Sequence, residues 1–199
     1  MTKANSRSAH HPIEAFFLER WSPRAFTGEA ISDADLRTIF EAARWAPSSF
    51  NSQPWRFLYA KRGTPAFAKF LGLLIEFNQS WAKNASALVI ALSKKTFTAP
   101  GKTDAVSMHS HSFDAGAAWG YLALQASRSG YAAHGMTGFD IPRTAIELNV
   151  PDDYRVEAAI AIGRVGDKSI LPEPMREREA PNDRNPQTAF VFEGEFPSS

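Results

Sequence analysis

The spacing of apolar residues changes repeatedly along this chain between a helical and a strand-like period. Apolar positions recur every three or four residues in five segments, which predicts helices at residues 13–20, 32–45, 65–77, 113–128 and 142–149. Shorter apolar runs predict strands at residues 55–60, 87–92, 131–134, 156–162 and 190–192. Because the two kinds of element are mixed rather than strictly alternating, the pattern predicts an α+β fold.

Local signals define some element boundaries. Ser32, followed three residues later by Asp35, is typical of a helix start with an acidic first turn. Pro23 disfavours helix for the residue before it, so we expect the first helix to end near Trp21. The continuous run ALVIAL at residues 87–92 predicts a buried strand.

Composition narrows the class of protein. With 199 residues and 44% hydrophobic content, the chain can bury one sizeable core, so we expect a single domain over residues 12–199. The net charge of +1 argues against nucleic-acid binding, and the absence of cysteine excludes disulfides and a cysteine nucleophile.

Both ends of the chain differ from its middle. The opening MTKANSRSAHH lacks the apolar core of a secretion signal, so residues 1–11 are predicted to be a disordered lead, with the cytoplasm as the default location. No apolar run reaches the ~20 residues that span a bilayer, so we expect no membrane association. The tail from Asp167 is charged and rich in proline, yet ends in FVFEGEF, which suggests docking on a second subunit.

Three polar clusters are candidates for chemistry. Arg20, Ser22 and Arg24 place two guanidinium groups and a hydroxyl within five positions, which suits phosphate oxygens. The same residues are also typical of an ordinary charged helix end.

The second cluster is the loop PSSFNSQPW at residues 47–55, whose hydroxyls and amides suit the polar edge of a flavin but equally suit a turn. The third comprises Gly135, Thr137 and Gly138, where glycine permits either close approach of a ligand or a tight turn.

Taken together, these segments resemble the FMN-dependent nitroreductase family, in its compact branch. The resemblance rests on RWSPRAF at residues 20–26, APSSFNSQPWRF at 46–57, FNQSWAKNASALVIAL at 77–92, GFD at 138–140 and PNDRNP at 181–186. Their order holds over nearly the whole chain after residue 11. The resemblance implies a central, mostly antiparallel sheet flanked by helices, in an intertwined homodimer with flavin at the subunit interface.

The resemblance also implies cofactor-binding roles for individual residues. The residues that match the family's contacts to the FMN phosphate and to the edge of the ring system are Arg20, Trp21, Ser22, Pro23, Arg24 and Arg184. The loop over the flavin, offered largely by the partner subunit, comprises Pro47, Ser48, Ser49, Asn51 and Gln53. The remaining matches are a flavin-facing amide at Asn78 and a backbone segment near flavin N5 at Thr137 and Gly138.

Three positions depart from the family's pattern. Asn182 stands where the family often has a second basic residue, Trp81 stands where some members carry lysine, and Thr137 is acidic in some relatives. We therefore expect weaker phosphate binding and a more aromatic pocket. Phe50, Trp81 and Trp119 could line that pocket, although most aromatic residues simply fill a core.

The activity that the resemblance implies is reduction of nitro compounds, quinones or similar small-molecule acceptors, with NAD(P)H as electron donor and ping-pong kinetics. The alternatives are a specialised enone or dehalogenating flavin reductase and a flavin-binding module without turnover. Since the flavin carries the redox chemistry, we assign no catalytic side chain. We interpret His109 and His111, in a polar loop, and His10 and His11, near the start of the chain, as solvated residues rather than metal ligands.

Overall fold

A four-stranded antiparallel sheet forms the middle of the fold. The computed structural model describes residues 3–197. The sheet contains β3 (Trp55–Lys61), β4 (Ala87–Lys94), β7 (Ala132–Met136) and β8 (Tyr154–Gly163), in the spatial order β3-β4-β8-β7. Each neighbouring pair is antiparallel, so the predicted α+β class and mostly antiparallel sheet are confirmed.

The central strand β4 is buried on both faces because successive side chains point to opposite sides of a sheet. Leu88, Ile90 and Leu92 belong to one apolar cluster, whereas Ala87 and Val89 belong to another. Strand β8 divides its residues between the same two clusters. The sheet therefore requires helices on both of its faces, and the predicted buried strand is confirmed.

One face is covered by α2 (Asp33–Arg44) and α5 (His111–Arg128), which pack against each other. Ser32 caps α2, since its side chain accepts the backbone N–H of Asp35 at 3.0 Å, as the sequence predicted. Leu36 and Leu122 are among the residues that these helices bury against the sheet.

The other face is covered by α3 (Pro65–Gly72) and α4 (Glu76–Ala82), where the sequence predicted one continuous helix. The interruption has a clear cause. The Leu73 carbonyl accepts the backbone N–H of Asp140 at 2.9 Å, and the Ile75 N–H donates to the Gly138 carbonyl at 3.1 Å. Hydrogen bonds to a distant segment thus replace those that would have continued the helix.

The remaining elements are short. They are α1 (Phe16–Glu19), β5 (Thr96–Phe97), β6 (Val106–Ser107), α6 (Ile141–Glu147) and α7 (Glu173–Arg176). The predicted helix at residues 13–20 is therefore reduced to one turn. The predicted strand at 190–192 does not form, and its apolar side chains are exposed.

The N-terminal segment differs from the predicted disordered lead. Within residues 3–8 the chain forms a hairpin of β1 (Lys3–Ala4) and β2 (Arg7–Ser8), and residues 1 and 2 lie outside the described part. The hairpin is held by Arg7, which is buried against α1 and the C-terminal segment. Along residues 3–197, no helix has the length and apolar character needed to cross a membrane.

Candidate functional site

Four arginines converge on one cleft of about 560 Å³, which we call the arginine cleft. Its walls come from the segment after α1, from β7 and from the C-terminal segment. The lining residues are Arg20, Trp21, Ser22, Arg24, His134, Glu177, Arg178, Ala180, Pro181, Asn182 and Arg184. The structure thus brings together the predicted residues of the RWSPR motif and the predicted Arg184.

Buried polar contacts fix the RWSPR segment in place. Pro23 is buried, and its carbonyl accepts a hydrogen bond from Nδ1 of His134 at 2.9 Å. The Glu179 carboxylate accepts the backbone N–H of Arg24 at 2.6 Å and that of Ala25 at 2.8 Å. Its second oxygen lies 3.7 Å from Nη1 of Arg24 and has no hydrogen-bond partner. Pro23 therefore supports the cleft from behind rather than lining it.

The C-terminal wall is held by its own amide and arginine. Nη1 of Arg184 donates to Oδ1 of Asn182 at 3.0 Å and to the Asp183 carbonyl at 2.9 Å. These bonds hold the Arg184 guanidinium beside the cleft. Asn182, the departure from the family's basic residue, thus acts as an acceptor that orients its neighbour.

The positive charges of Arg20, Arg184 and the neighbouring Arg7 repel one another. Burial lowers the pKa of the Arg20 guanidinium, and the nearby charges of Arg7 and Arg184 lower it further. Arg20 still carries its charge near neutral pH because arginine titrates far above that range. Mutually repelling arginines gain stability from a bound anion, so the electrostatics favour a phosphate or carboxylate ligand.

A second cleft of about 590 Å³ adjoins the first, and we call it the apolar cleft. Arg20 and Ser22 line both, so the two clefts meet at these side chains. The other lining residues are Phe17, Trp119, Gly120, Ala123, Leu124, Gly135, Met136, Thr137 and Ala158. The cleft thus lies between one face of α5 and the strands β7 and β8.

The predicted Thr137 and Gly138 are positioned at the end of β7. Thr137 lines the apolar cleft, and the Gly138 carbonyl accepts a hydrogen bond from Nδ2 of Asn78 at 2.9 Å. A Cβ atom at Gly138 would lie 2.7 Å from that nitrogen and 2.8 Å from Cδ1 of Ile75, so any other residue here would displace the Asn78 or Ile75 side chain. Asn78 is itself buried, and it holds the Thr137 segment from behind.

The predicted loop at residues 47–53 lies away from both clefts in this chain. The Ser49 backbone N–H donates to the buried Asp114 carboxylate at 3.1 Å, which ties the loop to the start of α5. Phe50, Asn51 and Gln53 have φ angles of 53°, 52° and 47°, in the left-handed region that non-glycine residues rarely adopt. Such concentrated strain is typical of a functional segment. Pro47, Ser48, Ser49, Asn51 and Gln53 are therefore not assembled with the clefts by one chain alone.

The aromatic residues considered for the pocket have three different environments. Trp81 is buried in the core, with its ring centroid 4.7 Å from that of His134. Trp119 lines the apolar cleft, whereas Phe50 is 82% exposed at the tip of its loop. The lysine-to-tryptophan departure at Trp81 thus adds core packing behind the arginine cleft.

Sequence reasoning missed several residues of the site. His134 and Arg178 line the arginine cleft, although the sequence predicted only a strand position for His134 and singled out no role for Arg178. On α5, Gly120 and Ala123 share one face with the expected Trp119 at helical spacing, but these two small residues are indistinguishable from ordinary core packing in the sequence. Glu179 carried no signal because its partners are more than 150 positions away.

A larger groove of about 770 Å³ lies on the outer side of α2, between Phe40, Trp45 and Tyr59. It shares no lining residue with the two clefts. Its rim includes the Arg44–Glu41 ion pair, with the Arg44 guanidinium over the Trp45 ring. Volume alone therefore does not identify the site, whereas converging positive charge does.

The arrangement suits a ligand with an anionic end and a flat, largely apolar end, because a charged cleft opens directly into an apolar one. The fold and the site define an α+β protein with such a bipartite cleft at the edge of an antiparallel sheet.

Comparison with known proteins gives the family. The family model described as the nitroreductase family matches residues 18–164. A relative from Streptomyces coelicolor, named a putative NADH dehydrogenase/NAD(P)H nitroreductase, is 29% identical over 170 residues, which are 75% of this chain and 81% of that protein. The chain belongs to the nitroreductase family.

Solved structures agree with this assignment. A crystal structure described as an oxidoreductase containing FMN is 46% identical, has a TM-score of 0.96 and covers 100% of both chains. A putative nitroreductase in complex with FMN from Desulfovibrio desulfuricans is 24% identical, with a TM-score of 0.70 over 95% of this chain and 100% of its own. The second likeness shows the shared fold.

The environment of His134 predicts a pH-dependent contribution to stability. Burial, aided by the charge of Arg24, lowers the pKa of His134 below its ordinary value of 6.5, against the opposing hydrogen bond to Pro23. As the pH falls below 6.5, the unfolded chain therefore binds more protons at this residue than the folded chain does, and the free energy of unfolding falls. The free energy of unfolding should fall less between pH 7 and pH 5 in His134→Gln, whose amide stays neutral and can still donate to Pro23.

Urea denaturation at several pH values measures this difference. His109→Gln, at an exposed position, is the control and should follow the wild-type profile. An unchanged pH dependence in His134→Gln would show that His134 does not contribute.

Proposed function

We propose that this chain is an FMN-dependent oxidoreductase that uses NAD(P)H to reduce nitro compounds, quinones or similar small molecules. The single domain, including the N-terminal hairpin that packs on it, would act as a homodimer with flavin at the subunit interface. Donor and acceptor would use the same cleft in turn, which gives ping-pong kinetics. The names of relatives support this, since they include NAD(P)H nitroreductases and a flavin oxidoreductase.

The single observation that carries the proposal is the meeting of the two clefts at Arg20 and Ser22. FMN has a phosphate at one end and a flat three-ring system at the other. The mutually repelling arginines fit the phosphate, and the apolar cleft fits the ring system. The residues present therefore fit this cofactor.

Each wall has a separate task in this proposal. Arg20, Arg24 and Arg184 would hold the phosphate, and Ser22 would add a hydroxyl donor. Asn78 fixes the Gly138 carbonyl, and thereby the direction of the backbone beside Thr137, where an N–H could face the polar edge of the ring system. When bound, the flavin supplies the redox chemistry between nicotinamide and acceptor, while the protein positions it.

The apolar cleft would also exclude water from the bound ring system. The Trp119 ring packs tightly against β7: a Cβ atom added at Gly135 would lie only 3.1 Å from that ring. Phe17, Leu124 and Met136 add further apolar wall. A dry site strengthens the electrostatic interactions that polar groups make with a bound cofactor.

The redox proposal predicts a specific spectral response. The purified protein, reconstituted with FMN, should show a flavin absorbance band that bleaches on anaerobic addition of NADH or NADPH. The band should return when a nitroaromatic compound or a quinone is added. A bound flavin that never bleaches would favour a binding module without turnover, and a protein that takes up no FMN would contradict the proposal.

The phosphate site predicts the behaviour of Arg20→Ala. Removing a charged donor should weaken FMN binding about tenfold to a hundredfold, since a hydrogen bond to a charged group contributes roughly 1.5–3 kcal/mol. Quenching of flavin fluorescence during titration measures the Kd, and circular dichroism checks the fold. Arg128→Ala, at an exposed position on α5, is the matched control and should bind FMN normally. Equal affinity in both variants would refute the phosphate assignment.

The proposed dimer is supported by a surface that we call the loop patch, formed by Phe50, Phe97, Val106 and Phe113. Phe50 and Phe97 stack with ring centroids 6.1 Å apart, and Phe97 pairs with Val106 across β5 and β6. Phe113 is 81% exposed and precedes Asp114, which holds the same loop. Exposed apolar surface of this kind is typical of an interface.

A second copy of this chain is the partner that best explains the exposed loop patch. The strained loop at residues 47–53 carries the predicted flavin-binding groups, yet it lies away from the clefts of its own chain. In the proposed dimer, its polar side chains would contact a flavin held in the clefts of the other subunit. Covering the loop patch with a second chain would bring them there.

The dimer proposal predicts the effect of Phe113→Glu. Light scattering should give twice the 21.9 kDa chain mass for the wild type and a shift towards the single-chain mass for the variant, because a buried charge opposes association. Ile146→Glu is the control, since Ile146 is 77% exposed on α6, away from the loop patch. A Phe113→Glu protein that remains dimeric would exclude this surface as the interface.

A further inference from the structure

Arg7 is a buried arginine that joins three separate segments of the chain. Only 6% of the residue is exposed, although it lies on a two-residue strand near the N-terminus. Its Nε donates to the Asn182 carbonyl at 2.7 Å, and its Nη2 donates to Oδ1 of Asn182 at 3.1 Å. Its Nη1 donates to the carbonyls of Leu18 at 2.9 Å and Arg20 at 2.8 Å.

These contacts lie directly behind the arginine cleft. Arg20 and Asn182 both line that cleft, on walls that are 162 positions apart in the sequence. Arg7 does not line it, but its planar guanidinium binds the backbone of both walls at once. A lysine could not reproduce this, because its ammonium is a compact donor on a flexible stem rather than a flat fork.

Burying the charged Arg7 side chain costs free energy unless hydrogen bonds or an opposite charge offset that cost. All four of its acceptors are neutral, and the charge of Arg184 acts on it more strongly than that of Asp183. Burial and the charge of Arg184 lower the pKa of Arg7. A buried cation among cations is therefore stabilised by carbonyl groups and gains further from an anion bound nearby.

We propose that Arg7 is a positioning residue that sets the distance between Arg20 and Arg184, and so gives the site its preference for a flavin that bears a phosphate. The inference rests on the proposed FMN site and adds to it a residue outside the cleft. Without Arg7, the two walls keep their arginines but lose the bonds that fix them relative to each other. Loss of such support lowers affinity because the walls must then be ordered on binding.

The experiment compares FMN with riboflavin, which has the same rings but no phosphate. Dissociation constants for both flavins are measured by fluorescence quenching in the wild type, Arg7→Gln, Arg7→Lys and the exposed control Arg128→Gln. The ratio of the two constants is the preference for phosphate. A residue that only stabilises the fold would change both constants together and leave this ratio unchanged.

We expect Arg7→Gln and Arg7→Lys each to reduce the preference for FMN about tenfold, with riboflavin affinity nearly constant. The Arg128→Gln control should keep the wild-type ratio. An unchanged ratio in both Arg7 variants would overturn the inference. A ratio lost in Arg7→Gln but kept in Arg7→Lys would overturn it too, since charge rather than the fork would then suffice.

The wild type separates this inference from the proposed function. If the wild type binds FMN no more tightly than riboflavin, the phosphate site itself is wrong. If it prefers FMN and the Arg7 variants keep that preference, only the role of Arg7 is wrong. Thermal unfolding of the apoproteins identifies any variant that fails to fold, and Arg7→Lys, which keeps the charge, carries the test if Arg7→Gln does not fold.

Discussion

Burial of β4 and β8 on both faces is the constraint on which the rest of this structure depends. Their alternating side chains supply two apolar clusters, so helices must cover each side of the sheet. α2 and α5 cover one side, and α3 and α4 cover the other. The edge strand β7 then meets the face of α5 that carries Trp119, and the apolar cleft is the space left between them. The location of the site thus follows from how the core is packed.

Buried polar groups then bring distant segments to that space. Glu179 binds the backbone of Arg24 and Ala25, Asn78 binds the Gly138 carbonyl, and Arg7 binds both walls of the arginine cleft. A buried polar group costs free energy unless it is hydrogen-bonded, so each contact specifies one position for the segment it holds. The residues that shape the site are therefore largely different from those that would contact a ligand.

Some groups of the site are complete only at the level of an assembly. The loop at residues 47–53 has a strained backbone, an anchoring bond to Asp114 and an exposed phenylalanine at its tip. None of these features serves the clefts of the same chain. They are consistent with the proposed dimer, in which the loop of one subunit would complete the flavin site of the other, and strain in the free loop would be offset by the contacts formed there.

That Arg184 would join the arginine cleft was implied only by the family resemblance. The sequence by itself determined the α+β class, the buried strand at β4, the capped start of α2 at Ser32 and the cluster of Arg20, Ser22 and Arg24. These features depend on local periodicity, on capping or on motifs whose residues lie close together in the chain. The interruption between α3 and α4, the hairpin at the N-terminus and the roles of Glu179 and Arg7 were decided only by the tertiary structure. Each depends on hydrogen bonds between segments far apart in sequence, and the local pattern of residues does not predict which distant segments pair.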